Sequence, residues 1–361
     1  MKFGSTSMAV TAMTVAACMT MLASQTRADD FATVKAAAIK EGQIVVWHNS
    51  PQQEATAALA ALFNKRFGMN IKVERVGIAG GEITSRMMTE KRGGRVTVDV
   101  LIAFDRNLPA LVKNNLIEKV DWIETFAGPD KIDAKLLERA ATNVVPEYKD
   151  YGLEFSHGVF GIAYNTNMLS EQDVPHTWEG LADPKWKGKV IVDAGLSPLA
   201  RLLPAIGRDG VIALAKKVVA NRPIYSDGQP ASATKVVSGE APLSMLTLSS
   251  ALYEKQKGAP IGLVYPEPQA LVSQQMVYVA KGAPHPNLAR LWAAWLASEG
   301  MESKVLVDEG MIRAWPGSAG PFGEYYAKNN LKVRRADTVQ ELEDANDIRK
   351  DLDAVAAGRL R

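Results

Sequence analysis

Cysteine is almost missing: the 361 residues contain one, Cys18. A chain with one cysteine forms no internal disulfide and builds no cysteine cage for a metal. Histidine is also scarce. The four copies, His48, His157, His176 and His285, have no His or Cys partner at metal-ligand spacing. Excess charge is absent, with 42 Lys+Arg against 40 Asp+Glu, so no bulk field attracts nucleic acid or acidic membranes. Gly-x-Ser-x-Gly is missing, which removes the usual hydrolase elbow. The glycine-rich pieces Gly77-Ile78-Ala79-Gly80-Gly81 and Gly93-Gly94 match neither a dinucleotide fingerprint nor a P-loop; they read as turns. These gaps exclude most catalytic classes. The expectation is a protein that is not an enzyme, holds no cofactor or metal and binds no nucleic acid.

What is present begins at the N-terminus. Lys2 is followed by an apolar, small-residue run from Met8 to Ala23 and then by Thr26-Arg27-Ala28. This pattern predicts a secretory signal peptide over residues 1–28, cleaved after Ala28, because the run is too short and weakly flanked to span a bilayer. Val15-Ala16-Ala17-Cys18 also resembles a lipoprotein box, although Met19, Met21 and Leu22 carry the apolar run past the cysteine. Removal of Lys2 and Arg27 would leave 40 charges of each sign. The 333 residues beyond Ala28 exceed the usual size of a single core, so two domains are expected.

Hydrophobic periodicity places helices at 29–40, 52–67, 108–116 and 131–141, with strands at 44–47, 72–76 and 98–102. After an extended stretch over 151–164 the alternation resumes. Strands are expected at 190–192, 242–246 and 276–279, and helices at 198–206, 210–219, 232–238 and 288–297. A charged amphipathic helix over 338–360 has no expected role beyond packing. Alternating strands and helices imply parallel sheets covered on both faces. Ligands of such sheets bind beyond the carboxyl ends of the strands.

One stretch organises the chain: Pro175-His176-Thr177-Trp178-Glu179-Gly180-Leu181-Ala182-Asp183-Pro184-Lys185-Trp186-Lys187-Gly188-Lys189-Val190-Ile191-Val192. Thr177 suits the cap of a helical turn whose Trp178 and Leu181 face inward, and Asp183-Pro184 ends that turn. Local propensity alone would not demand two tryptophans at this spacing. The stretch, with Tyr164-Asn165-Thr166 before it, resembles a signature of extracellular solute-binding proteins of ATP-driven importers, in the branch that includes ferric-iron binders. Gly239-Glu240-Ala241-Pro242-Leu243 and Ala283-Pro284-His285-Pro286-Asn287 with Glu299-Gly300 resemble further phrases of that family. The resemblance covers most of residues 42–315.

It implies an α/β, two-lobed periplasmic-binding-protein-like fold of type II, with crossover strands joining the lobes and a ligand cleft between them. Lobe 1 would take residues 29–158 and 272–312; lobe 2 would take 159–271 and 313–361. The implied function is capture of a periplasmic solute by lobe closure and its delivery, by a monomer, to an ABC permease in the inner membrane. A sensory receptor would share the fold, and a secreted hydrolase on a similar scaffold is the reading from another class.

The candidate ligand residues are those beyond strand ends. They are His48, Asn49 and Ser50 after the first strand, Gly81 after the second, and Phe104 and Asp105 after the third. Lobe 2 offers Ser197, read as a helix cap before Pro198, then Asp227 and Gln229, and Thr247, Ser249 and Ser250, read as carrying free hydroxyls. His157 lies near the crossing. Arg86 and Arg201 stand close behind these loops, as packing residues or as bidentate anion ligands. Trp47 and Trp315 are expected in packing. The ferric branch grips its metal with adjacent tyrosines where this chain has Thr247-Leu248. Tyr253 stands alone there, and Tyr325-Tyr326 lies too far along. A hard trivalent cation needs anionic oxygens. The expected solute is therefore a small polar organic compound, anionic in character, with bare ferric ion or a ferric complex as the alternative.

Overall fold

The structure is a computed structural model that describes residues 1, 30–48, 51–78, 80–142, 144–311, 313, 318, 321–332 and 334–360. The expected signal peptide, Cys18, Asn49, Ser50 and Trp315 lie outside the described residues. Ten strands are described: β1 (Gln43–Trp47), β2 (Lys72–Val76), β3 (Val100–Phe104), β4 (Leu153–Gly158), β5 (Phe160–Asn165), β6 (Val190–Asp193), β7 (Ile224–Ser226), β8 (Leu243–Thr247), β9 (Ile261–Val264) and β10 (Ser273–Val279). They form two five-stranded sheets, ordered β2-β1-β3-β10-β4 and β7-β6-β8-β5-β9. In the first, β1 pairs in parallel with β2 and β3, and β10 is antiparallel to β3 and β4. In the second, β6 is parallel to β7 and β8, and β5 is antiparallel to β8 and β9. The chain leaves the first sheet along β4, enters the second along β5 and returns through β9 to β10. This is the two-lobed α/β arrangement.

The burial pattern explains the layers. Along β5, Phe160, Ile162 and Tyr164 join one apolar cluster, while Val159 and Ala163 join another on the opposite face. Successive strand residues point to opposite faces, so a strand apolar throughout is covered on both. The third strand begins two residues later than its apolar run predicts. Asp99 is buried and accepts from Val45 N at 2.8 Å, so a side chain takes the place of a ladder partner before Val100. The same carboxylate accepts from His285 N at 2.7 Å and lies 3.0 Å from His285 Nδ1. His285 therefore pins the helix Pro286–Leu296 to β3, and its phrase is structural.

The organising stretch is a clamp. Gly180 N donates to Thr177 Oγ1 at 3.1 Å, and Lys185 N to Asp183 Oδ1 at 2.9 Å, closing two short 3-10 turns, Glu179–Ala182 and Pro184–Trp186. Trp178 is buried, and its Nε1 donates to Pro268 O at 2.9 Å on the returning crossing. An indole buries a large apolar area yet needs one partner for its N–H, which explains a tryptophan where the chain comes back toward lobe 1.

Three expectations change. The helix at 198–206 is split into Ser197–Ala200 and Leu203–Ala220, and the latter is kinked at Gly207, whose φ of 68° suits glycine. The loop expected at Thr247–Ser250 is the start of a helix, Leu248–Gln256. The C-terminal helix Val339–Ala356 contributes Leu342 to the core around the first sheet, and Ile348, Leu352 and Val355 to the core of the second. It braces both lobes.

Candidate ligand site at the seam of the lobes

The segment after β3 in lobe 1 and the segment after β6 in lobe 2 meet at the seam. Asp105, directly after β3, is 2 % exposed, and Arg201, after the first short helix of lobe 2, is 6 % exposed. Arg201 Nη1 donates to Asp105 Oδ2 and Nη2 to Asp105 Oδ1, both at 3.1 Å. The same guanidinium donates to Val272 O at 3.3 Å and Ser273 Oγ at 3.0 Å on the crossing. Gln274 N approaches Asp105 Oδ2 at 3.4 Å. Asp105 is thus engaged by a bidentate pair from the opposite lobe, and Arg201, weighed as a ligand for an external anion, already holds an internal one.

The neighbouring Arg106 is treated differently. Its guanidinium lies over the Phe104 ring at 4.2 Å, and Phe104 is backed by Gly80, where an added Cβ would stand 2.9 Å from the ring. Among the described residues no carboxylate stands within ion-pair distance of it. Burial, and then the like charges of Arg349 and Arg201, push Arg106 down to about 10 against the pull of Asp105. Asn346, on the C-terminal helix, donates from Nδ2 to Arg106 O at 2.8 Å. Arg349, one turn further, donates from Nη1 to Ser197 Oγ at 3.2 Å.

Ser197 is not the cap of its helix. Leu196 holds that position at φ 48°, and Ser197 N donates to Asp193 Oδ1 at 2.8 Å. Burial raises the Asp193 carboxyl against the hydrogen bond from Ser197 and the charge of Arg349. Gln229, Thr247 and Ser250 are brought together. Gln229 Oε1 accepts from Thr247 N at 2.6 Å, and Thr247 Oγ1 bonds Ser250 Oγ at 2.8 Å. Two of the three hydroxyls read as free are therefore engaged with each other; Ser249 is half-buried. Leu248 N donates to Val159 O at 2.7 Å, which ties this loop to the crossing.

The remaining sequence candidates scatter. His48 is buried, its backbone bonded to Val76 and Ile78. Gly81 and Asp227 are exposed turn residues. His157 is buried with its Nε2 3.0 Å from Glu154 Oε2, an atom that also accepts from Gln274 Nε2 at 2.8 Å and Arg335 Nε at 3.3 Å. Arg86 stacks over Trp47 at 4.3 Å. Tyr325 and Tyr326 pack beside the Leu248–Gln256 helix, where burial pushes the Tyr325 phenol up to about 12. Among the described residues no group of three or more His, Cys, Asp or Glu could hold a metal ion. A cavity of about 490 Å³ lies between the start of the Leu203–Ala220 helix and the C-terminal helix; its Arg208 pairs with Asp351, its Arg334 with Glu341, and its Asp344 accepts from Gln340. Sequence reasoning missed Arg106 and Arg349. Arg106 adjoins a chosen residue, and Arg349 comes from the C-terminal helix, to which only packing was assigned.

Two sheets joined by crossing strands, with polar strand-end loops meeting at the junction, define a two-lobed solute receptor of the type II periplasmic class. Residues 58–320 match the family of bacterial extracellular solute-binding proteins, and the chain belongs to that family. Its sequence is 27% identical over 283 residues to iron uptake protein A1 of Synechocystis, covering 72% of each chain. Its fold is similar to that of iron-bound HitA from Pseudomonas aeruginosa, with TM-score 0.69 and 19% identity, over 87% of this chain and 99% of that one. AfuA from Actinobacillus pleuropneumoniae, solved with fructose-6-phosphate bound, gives TM-score 0.66 and 20% identity over 88% and 98%. At these identities the likeness to the solved structures concerns the fold.

Proposed function

We propose that this protein captures a small anionic organic solute in the periplasm and passes it to an ABC permease in the inner membrane, without chemical turnover. The supporting observation is the charge at the seam: Asp105 is neutralised by Arg201, whereas Arg106 beside it has no carboxylate at ion-pair distance among the described residues. A half-buried cation without a counter-charge favours an anionic ligand. Lobe 1 is taken as 29–158 with 272–312 and lobe 2 as 159–271 with 313–361. The C-terminal helix lies across the division. Export would follow cleavage after Ala28.

The test is titration of the purified protein, by intrinsic fluorescence, with organic acids, phosphonates, sugar phosphates and ferric salts. An organic anion is expected to bind saturably and to be recovered unchanged. Alanine at Ser197, and at Thr247 or Ser249, should weaken it; unchanged affinity in all of these variants would reject the site. A second reading is supported by the iron-related names of the Synechocystis relative and the Pseudomonas structure. On that reading the cargo is a ferric complex carried by its organic anion, and binding would require iron and chelator together.

A further inference from the structure

We infer that Arg106 and Arg349 form a two-sided grip for a tetrahedral oxyanion, so that the solute carries a phosphate, phosphonate or sulfonate group. This rests on the receptor reading above and narrows its ligand class.

The inference starts from position. Arg106 follows β3 in lobe 1, and its guanidinium is spread on the Phe104 ring at 4.2 Å. Gly80, with no Cβ, lets that ring lie close against the loop. A guanidinium stacked on a ring keeps its N–H groups in its own plane and available. Arg349 belongs to the C-terminal helix and, among the described residues, hydrogen-bonds through Nη1 to Ser197 Oγ, with Asp193 near enough to feel its charge. Asn346 and Arg349 are three residues apart, hence on one helix face. Asn346 is bonded directly to the backbone of Arg106. The relative placement of the two cations is thus set by a hydrogen bond before any solute arrives, and such preorganisation lowers the cost of binding.

The shape of the donor set selects the group. Donors come from lobe 1 (Arg106), from the bracing helix (Arg349) and from lobe 2 (the Ser197 hydroxyl). A planar carboxylate directs its lone pairs within one plane, whereas three oxygens on phosphorus or sulfur point in three directions and accept several charged donors at once. The acids nearby do not compete on equal terms. Both oxygens of Asp105 face Arg201, and Asp193 Oδ1 takes Ser197 N. Burial, and then the like charges of Arg349 and Arg201, depress the Arg106 guanidinium, as expected where cations gather.

The experiment is isothermal titration of the wild-type protein, Arg106→Gln, Arg106→Lys and Arg349→Gln with inorganic phosphate, fructose 6-phosphate, phenyl phosphate, methylphosphonate, taurine and citrate, with far-UV circular dichroism to confirm folding. At least one phosphorus or sulfur oxyanion is expected to bind the wild type. Arg106→Gln should weaken it by 30-fold or more, Arg349→Gln by about tenfold, and Arg106→Lys by less than Gln, since the charge remains but the fork is lost. If Arg106→Gln does not fold, Arg106→Lys and Arg349→Gln carry the same comparison. Affinity within twofold of wild type in the folded Arg106 and Arg349 variants overturns the grip and leaves the receptor reading standing. Wild-type binding of citrate alone overturns the oxyanion class but not the receptor. Saturable binding of ferric chloride, titrated alongside, with none of the six probes bound overturns both the grip and the anionic-solute reading.

Discussion

Two buried charge clusters lie along the crossing between the lobes, and they are built differently. Around Glu154, a single oxygen draws His157, Gln274 and Arg335, while Arg313 lies close by and donates to Phe155 O and Ala297 O. Burial pushes the Glu154 carboxyl up, but His157, Arg335 and Arg313 outweigh it and hold it below its usual range. Its cations turn inward and fasten the C-terminal segment to β4 and β10. Around Asp105, the carboxylate is matched by Arg201, yet Arg106 is left resting on a ring. A cluster that satisfies its own charges anchors structure; on the proposed reading, the cation left over in the other is where the solute docks.

The largest way to break this contrast is Asp105→Ala, which leaves Arg201 buried without its counter-charge. Removing one partner of a buried pair costs about 3–5 kcal/mol, read as a lower midpoint in urea unfolding. A loss below about 1 kcal/mol would mean that the pair holds nothing together. Gly80→Ala should act next. Its Cβ would stand 2.9 Å from Phe104, so the ring must move, costing roughly 1–3 kcal/mol as overpacking. Solute affinity should fall with it, because the stack under Arg106 is disturbed; unchanged affinity would separate Phe104 from binding.

The smallest effect sharpens the closed cluster. Burial lowers the His157 imidazole against the pull of Glu154. Because the folded value lies below the ordinary 6.5, the unfolded chain takes up the proton first. The stability contribution is therefore present above that pH and lost as pH falls through and below it. Glu154, also depressed, loses its contribution only further into acid, as pH falls through its folded value. Thermal melts should be level above neutrality and decline in two stages on acidification. His157→Gln should remove the first stage; an identical decline in that variant would contradict the assignment.

Much of the fold was legible because its signals are local. The apolar run Val190–Val192 and the parallel elements 43–47 and 72–76 carry their own apolar pattern, and Gly42 before the first of these elements and Gly77 after the second mark boundaries. The third strand was misjudged by two residues because Asp99 replaces a backbone partner, a tertiary event. Short elements such as β7 and β9 lack enough residues to show a period. For the site, the strand-end rule named Asp105, Ser197, Thr247 and Ser250, but not the contacts they make, and Arg349 was not singled out at all. Arg201, Arg349 and Ser250 engage the first three across separations of 96, 152 and 3 residues. The reading of Thr247 and Ser250 as free failed because a helix begins at Leu248 and turns one hydroxyl onto the other.

The account rests on a seam that closes on an anionic organic solute. A thermal-shift comparison of organic phosphates, phosphonates, sulfonates and carboxylates against ferric ion alone tests it most directly. Saturation at about 100 times Kd adds about 2.7 kcal/mol, which for a chain of this size raises the melting temperature by about 4 °C. The account predicts that rise with an organic anion and its loss in Arg106→Gln. A rise produced only by ferric ion, undiminished in Arg106→Gln, would contradict it.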